Sequence, residues 1–369
     1  MKHLTLLFAA LFISIGMMAQ TYDYDFASKC SSGQTLYYKI LSSNPPQAEL
    51  VYGVPAMQSI DLIIPEMAAD TTNTFRLYEV VSIADDAFDD YYGEETGALV
   101  IPNTVLSIGS RAFYYMSLTS LSLPESLESI GSEAFAYNSN MTGPLVIPQS
   151  VVSIGQGAFA GCGFTSLDWP ALMTEIPKSC FYGCRFQGTL SLPEGVTEIG
   201  IDAFGVCQEL TGLELPSTLT SIGDMAFVAC SGLTFIKIDA VTPPYSPSSV
   251  FVDVDKSIPV YVPYGTKQLY EEDSAWKYFT NIIDDPDSVE EVENEGFEIY
   301  PNPVADQLHV SCQGLNSVAV YDVQGRKIIS METENENACL DFSDMLSGVY
   351  FIEAFAADHR RHVFEILRK

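Results

Sequence analysis

The chain is 369 residues long, 47% hydrophobic, and carries a formal charge of -31 at pH 7. That length exceeds one small domain and supplies ample apolar material for a large core, so two or three structural units are expected. Only 17 Lys and Arg face 48 Asp and Glu, which argues against a nucleic-acid partner, because affinity for phosphate backbones is carried by clustered basic side chains.

Residues 1–19 read as a secretory signal peptide. Lys2 precedes an apolar run over residues 4–15, and the small Ala19 stands before Gln20. The run is shorter than the roughly 20 residues a helix needs to span a bilayer, and no later segment is long enough. The mature chain is therefore expected to be exported, with no transmembrane segment. Residues 20–79 alternate apolar and polar positions in runs such as 36–40 and 49–52, separated by Asn44-Pro45-Pro46. They are expected to form strands of an amino-terminal β cap.

From residue 80 to residue 283 the chain writes one segment seven times. Phe88, Phe113, Phe135, Phe159, Phe181, Phe204 and Phe227 recur every 22 to 25 residues. An isoleucine row keeps the same register: Ile83, Ile108, Ile130, Ile154, Ile176, Ile199 and Ile222. In six copies a proline precedes the isoleucine by six residues, as Leu121-Ser122-Leu123-Pro124 precedes Ile130. A period of this length is the mark of a stacked solenoid. L-x-L points both leucines to one face of a short strand, which the proline ends because it has no N–H for the ladder. Each copy is expected to supply one strand, a turn and a return segment. The glycines after the isoleucines (Gly109, Gly131, Gly155, Gly200, Gly223) read as tight bends.

Eight cysteines in an exported chain would ordinarily announce disulfides. The register favours buried thiols instead. Cys162, Cys184, Cys207 and Cys230 each follow their repeat's phenylalanine by three residues, and Cys180 replaces the alanine of an Ala-Phe pair. A row of free thiols packs as small hydrophobes, and four sulfurs in line do not close a tetrahedron around a metal. Cys30, Cys312 and Cys339 lie outside the row.

Residues 284–296 are acidic and read as a linker: Asp284, Asp285, Asp287, Glu290, Glu291, Glu293 and Glu295 stand without a basic residue. Residues 297–369 hold seven β-like runs, at 297–300, 307–312, 318–323, 327–330, 338–342, 349–355 and 362–367, punctuated by Gly314, Gly325 and Gly348. That spacing predicts a small antiparallel β-sandwich. The fold class is thus mainly β, a leucine-rich solenoid followed by a sandwich.

Two family resemblances rest on these residues. L-x-L-P-x-[ST]-[VL]-x-x-I-G-x-x-A-F-x-x-C resembles the BspA-type leucine-rich repeat of surface and secreted proteins of Bacteroidetes, and Val260-Tyr261-Val262-Pro263 through Ala275-Trp276 resembles that family's terminal cap. The final segment resembles the C-terminal sorting domain of type IX secretion. The likeness is carried by Tyr300-Pro301-Asn302-Pro303, by the run from Val318 through Tyr321, Asp322, Gly325 and Arg326, and by Gly348-Val349-Tyr350. The resemblance implies passage across the outer membrane with the type IX machinery as partner, removal of the domain near the acidic linker, and a place on the cell surface or outside the cell.

No cofactor or metal motif is present, and after signal removal the histidines are His309, His359 and His362, all in the last segment. No phosphate loop or zinc-protease helix motif is found. The chain is not expected to be an enzyme. The one enzymatic alternative is an acid pair in the cluster Asp85, Asp86, Asp89, Asp90, Glu94 and Glu95, acting as a secreted enzyme or an enzyme-inhibitor module. Members of the resembled family act as adhesins, which implies a protein or glycan ligand on another cell or the host matrix. The candidate surface is the tyrosines after the phenylalanines, Tyr114, Tyr115, Tyr137 and Tyr182, since tyrosine offers rigid area and a polar tip.

Overall fold

The computed structural model describes residues 23–54, 61–72, 75–88, 97–285, 290–291, 296–333, 336–357 and 360–369. The signal-peptide reading, much of the acidic linker and His359 lie outside these residues. The chain forms two units, one comprising the chain to residue 261 with residues 269–282, the other residues 262–268 with the chain from 283 onward.

The first unit begins with the hairpin Thr35–Ser43 and Pro46–Val54, edged by Phe26–Lys29. Alternation decides its faces: Leu36 and Tyr38 are buried, whereas Lys39 between Tyr38 and Ile40 points to solvent. Pro46–Val54 then runs parallel to Arg76–Ile83, on which Met67–Asp70 pairs from the other side. The strand Arg76–Ile83 is also the first rung of the repeats, with Ile83 opposite Ile108. The amino-terminal strands are therefore continuous with the solenoid sheet.

Each repeat contributes two parallel strands, one more than the sequence pattern implies. The L-x-L strands, such as Ala98–Val100 and Ser120–Ser122, stack on one side. Two-residue strands ending at the isoleucine, such as Ser107–Ile108 and Ser129–Ile130, stack on another. Between them the proline opens a turn, as when Leu127 N–H donates to the Pro124 carbonyl at 3.0 Å. The glycine after the isoleucine has a different reason from a bend. A Cβ on Gly131 would overlap the Ser110 backbone nitrogen of the preceding repeat, and Gly109, Gly155, Gly200 and Gly223 are crowded in the same way. None of the five has a positive φ. Glycine is needed here for close approach between rungs.

The phenylalanines form the core. Successive rings from Phe88 to Phe227 stack 5.3 to 5.9 Å apart with interplanar angles of 20° or less. An eighth ring extends the row, because Phe251 stacks 5.7 Å from Phe227 although no Ile-Gly pair precedes it. Trp276 closes the stack at 5.0 Å from Phe251, fully buried.

The isoleucine ladder is interrupted once. It runs to Ser153–Ile154, stops, and resumes with Glu175–Ile176. Glycines elsewhere donate their N–H to the preceding isoleucine carbonyl at 2.7 to 2.8 Å. Pro177 holds that position in the fifth repeat and has no N–H to give Ile154.

The second unit has the seven strands expected. Glu298–Tyr300, Gln307–Ser311 and Asn337–Asp341 form one antiparallel sheet. Lys327–Glu332, Leu315–Asp322, Gly348–Ala356 and Arg360–Arg368 form a second, with Glu290–Glu291 added in parallel at its edge. Val304, Leu308, Val320, Phe342, Ile352 and Ile366 are fully buried within this unit.

Candidate functional site

The segment after each phenylalanine from Phe113 to Phe227 turns back through a residue in the left-handed region. Tyr115 and Tyr137 have φ of 55° and 63°, and at the same rung position Gly161 and Gly183 have 68° and 69°. The backbone therefore favours glycine here, and a side chain is carried at a conformational cost. The turn holds the phenylalanine and the residue three after it inside, with the residue between them at the left-handed position lying nearer the surface.

Three of the four candidate tyrosines come together. Tyr114 meets Tyr137 edge-on at 5.5 Å, and Tyr115 lies 6.5 Å from both. Tyr115 and Tyr137 are 46% and 48% exposed. Arg111, which the sequence reading did not single out, lies with its guanidinium 4.2 Å from the Tyr114 ring centroid. It also bridges Asp86 at 3.3 Å and Glu133 at 3.8 Å. Tyr182 is not part of the group: the fourth repeat interposes Ala160 and Gly161, and Tyr182 packs over Gly205, where a Cβ would come within 2.9 Å of its ring.

The acids of the first repeat are engaged in structure. Asp85 accepts the Ser110 N–H at 2.6 Å and Asp86 pairs with Arg111. Asp89, Asp90, Glu94 and Glu95 lie outside the described residues. Among the described residues no cluster of three metal-ligating side chains exists.

The thiols form a buried row with a defined task. Cys162, Cys184, Cys207 and Cys230 direct their Sγ to the carbonyls of Phe135, Phe159, Phe181 and Phe204 at 3.2, 3.2, 3.4 and 3.2 Å. Asn138 takes the same position one repeat earlier, donating to the Phe113 and Phe135 carbonyls at 2.8 Å each. Its offset of three from Phe135 marks it in the sequence, although its residue type differs. Burial pushes the Cys162 and Cys230 thiols up to about 12 and those of Cys180, Cys184 and Cys207 well above their ordinary value. Since the thiolate is the reactive form, thiol titration of the native chain near neutral pH should modify the exposed Cys339 and leave Cys162, Cys184, Cys207 and Cys230 untouched until denaturant is added. Mass spectrometry finding these four linked to one another would contradict the arrangement.

The sorting-motif residues lock local structure in the second unit. Asp322 accepts the Gln324 and Arg326 backbone N–H groups at 2.9 Å and the Arg326 guanidinium at 2.6 and 2.7 Å, closing the turn at Gly325. These bonds, the Arg326 backbone N–H first, hold its carboxyl below the usual range. Asn302, between Pro301 and Pro303, donates to the Glu365 carbonyl and accepts from Leu367 N–H, both at 3.0 Å. Tyr321 donates to Glu353 at 2.8 Å, and Tyr350, after Gly348, donates to the Leu346 carbonyl at 2.8 Å.

Comparison with known proteins matches the BspA type Leucine rich repeat region, in six copies, over residues 72–186, 137–251 and 174–301. Residues 298–363 match the Secretion system C-terminal sorting domain. No curated protein matches the chain. Among solved structures, a leucine-rich repeat protein from Bacteroides ovatus is 20% identical, covering 68% of this chain and 75% of its own, with a TM-score of 0.43. A leucine rich cell surface protein from Faecalibacterium prausnitzii is 18% identical, covering 70% of this chain and 95% of its own, with a TM-score of 0.36.

Proposed function

Because the chain belongs to the BspA-type leucine-rich repeat family and ends in a type IX sorting domain, it is a secreted or cell-surface repeat protein, and we propose that it is an adhesin-like binder of a protein or glycan on another cell or host matrix. The observation that carries this reading is the grouping of Tyr114, Tyr115 and Tyr137, two of them half exposed at a turn position where the later repeats carry Gly161, Gly183, Val206 and Ala229. Clustered tyrosines offer contact area with little rotamer entropy to lose. Tyr182, two repeats beyond Tyr137, lies in the same series of turns. The acid-pair alternative is weakened by the engagement of Asp85 and Asp86 within the repeat stack, and neither matched family is an enzyme family.

The test is an array of host-matrix proteins and bacterial and host glycans probed with the full chain. Tyr115→Ala with Tyr137→Ala should weaken the strongest hit at least tenfold, a hot-spot loss being about 2 kcal/mol or more, while the melting temperature stays put. Unchanged binding by the double variant would remove the tyrosines from the function.

A further inference from the structure

At one junction the solenoid leaves three of its own carbonyls without a donor from the next repeat. At other junctions two or all three of the following devices supply that donor, the hydroxyl being missing at Gly195 and unbonded at Thr104. A backbone N–H reaches the carbonyl just before the short strand, as Val152 reaches Glu128 at 2.9 Å and Thr197 reaches Thr174 at 2.8 Å. A hydroxyl caps a second carbonyl, as Ser126 does for Val105, Ser150 for Leu127 and Thr218 for Val196, at 2.6 to 3.0 Å. The N–H of the glycine after the isoleucine caps the isoleucine carbonyl of the preceding repeat. Between the fourth and fifth repeats all three fail together. Leu172 replaces the hydroxyl, Pro177 replaces the glycine, and Thr174 N–H does not bond Val152. The carbonyls of Val151, Val152 and Ile154 accept nothing from the fifth repeat.

The same junction opens. Phe159 and Phe181 stand 5.9 Å apart, the widest step in the ring row. A crevice of about 320 Å³ lies there, bordered by Val152, Ile154, Leu172, Met173, Glu175 and Pro177. Val152 and Leu172 are 76% and 83% exposed, unusual for large apolar side chains. Its polar lining joins these carbonyl oxygens and the Glu175 carboxylate to the Ser153 and Thr174 hydroxyls, which can accept as well as donate, between aliphatic walls.

We propose that this crevice binds a lysine side chain presented by an extended segment of another protein. Lysine has three donors and no acceptor on a four-carbon stem. The stem suits the Val152 and Leu172 walls while the ammonium reaches carbonyls and Glu175. Arginine's planar fork is made for bidentate carboxylate pairs and matches scattered carbonyls less well. The chain already uses this chemistry internally: Lys256 donates its ammonium to the Phe251 and Val254 carbonyls at the far end of the solenoid, with the Phe279 ring centroid 5.3 Å away. The charge of -31 draws a cationic segment in. Different segments of the repeat build this site from those carrying the tyrosines, so it stands whether or not the tyrosine reading does.

The test uses the full chain and a fluorescent pentapeptide with one central lysine between leucines, read by fluorescence polarisation. Replacing the lysine by norleucine should weaken binding at least tenfold. Val152→Ser with Leu172→Ser, which removes the apolar walls and restores a hydroxyl without changing the charge, should also weaken the lysine peptide at least tenfold. Both residues are exposed, and an unchanged circular-dichroism melt confirms the variant's fold. The proposal is overturned if the variant binds the lysine peptide as tightly as the natural chain, which would reveal diffuse attraction to acidic surface. It is equally overturned if the norleucine peptide binds as well, or if the lysine peptide does not bind.

Discussion

Phe159→Ala should cost the solenoid about 3 to 5 kcal/mol, the range for truncating a buried phenylalanine. The ring is fully buried, 5.5 Å from Phe135 on one side and 5.9 Å from Phe181 on the other, with Phe164 edge-on at 6.1 Å. Removing it leaves a cavity and breaks three ring contacts at once. A repeat array is stabilised mainly by its nearest-neighbour interfaces, so the loss falls on the coupling between its two halves. Against a usual total of about 5 to 15 kcal/mol, that is a large fraction. Urea denaturation measures it, with the exposed Phe75 as control, since Phe75→Ala should change little. An unchanged midpoint for Phe159→Ala would refute the ring row as the core.

Deleting residues 297–369 should leave the repeats folded and abolish surface display. The deletion removes the seven strands from Glu298 onward and the whole of the sorting match, and takes only residues 297–301 from the end of the repeat match. We propose that residues 284–296 separate the two parts functionally, so that the repeats survive the cut with Trp276 still closing the ring stack. Fractionation and protease shaving of the source bacterium decide the outcome: the truncated chain is expected inside the outer membrane, protected from added protease until the cells are opened. Undiminished display of the truncated chain would show that export does not depend on the segment, whatever its sequence match.

What the sequence determined by itself is whatever every rung repeats. The ring row, the isoleucine row and the thiol row could be read from offsets, because each repeat makes the same contacts with the next and so needs the same residue at the same place. The seven strands of the last segment were legible for a related reason, since alternation and glycine turns are local signals. Only the tertiary structure decided the points where neighbouring repeats differ. Phe251 joins the ring row without its motif, and Asn138 serves in the thiol row, because both positions are defined by the ring and carbonyl of the preceding rung and not by residue type. Gly131 is required by the Ser110 backbone packed against it, a contact between residues 21 positions apart. Tyr114, Tyr115 and Tyr137 meet while Tyr182 stands apart, and Pro177 splits a ladder, because both outcomes depend on which residue the adjacent rung presents. A periodic pattern specifies the rung, and the contacts between unlike rungs arise only when the chain is stacked.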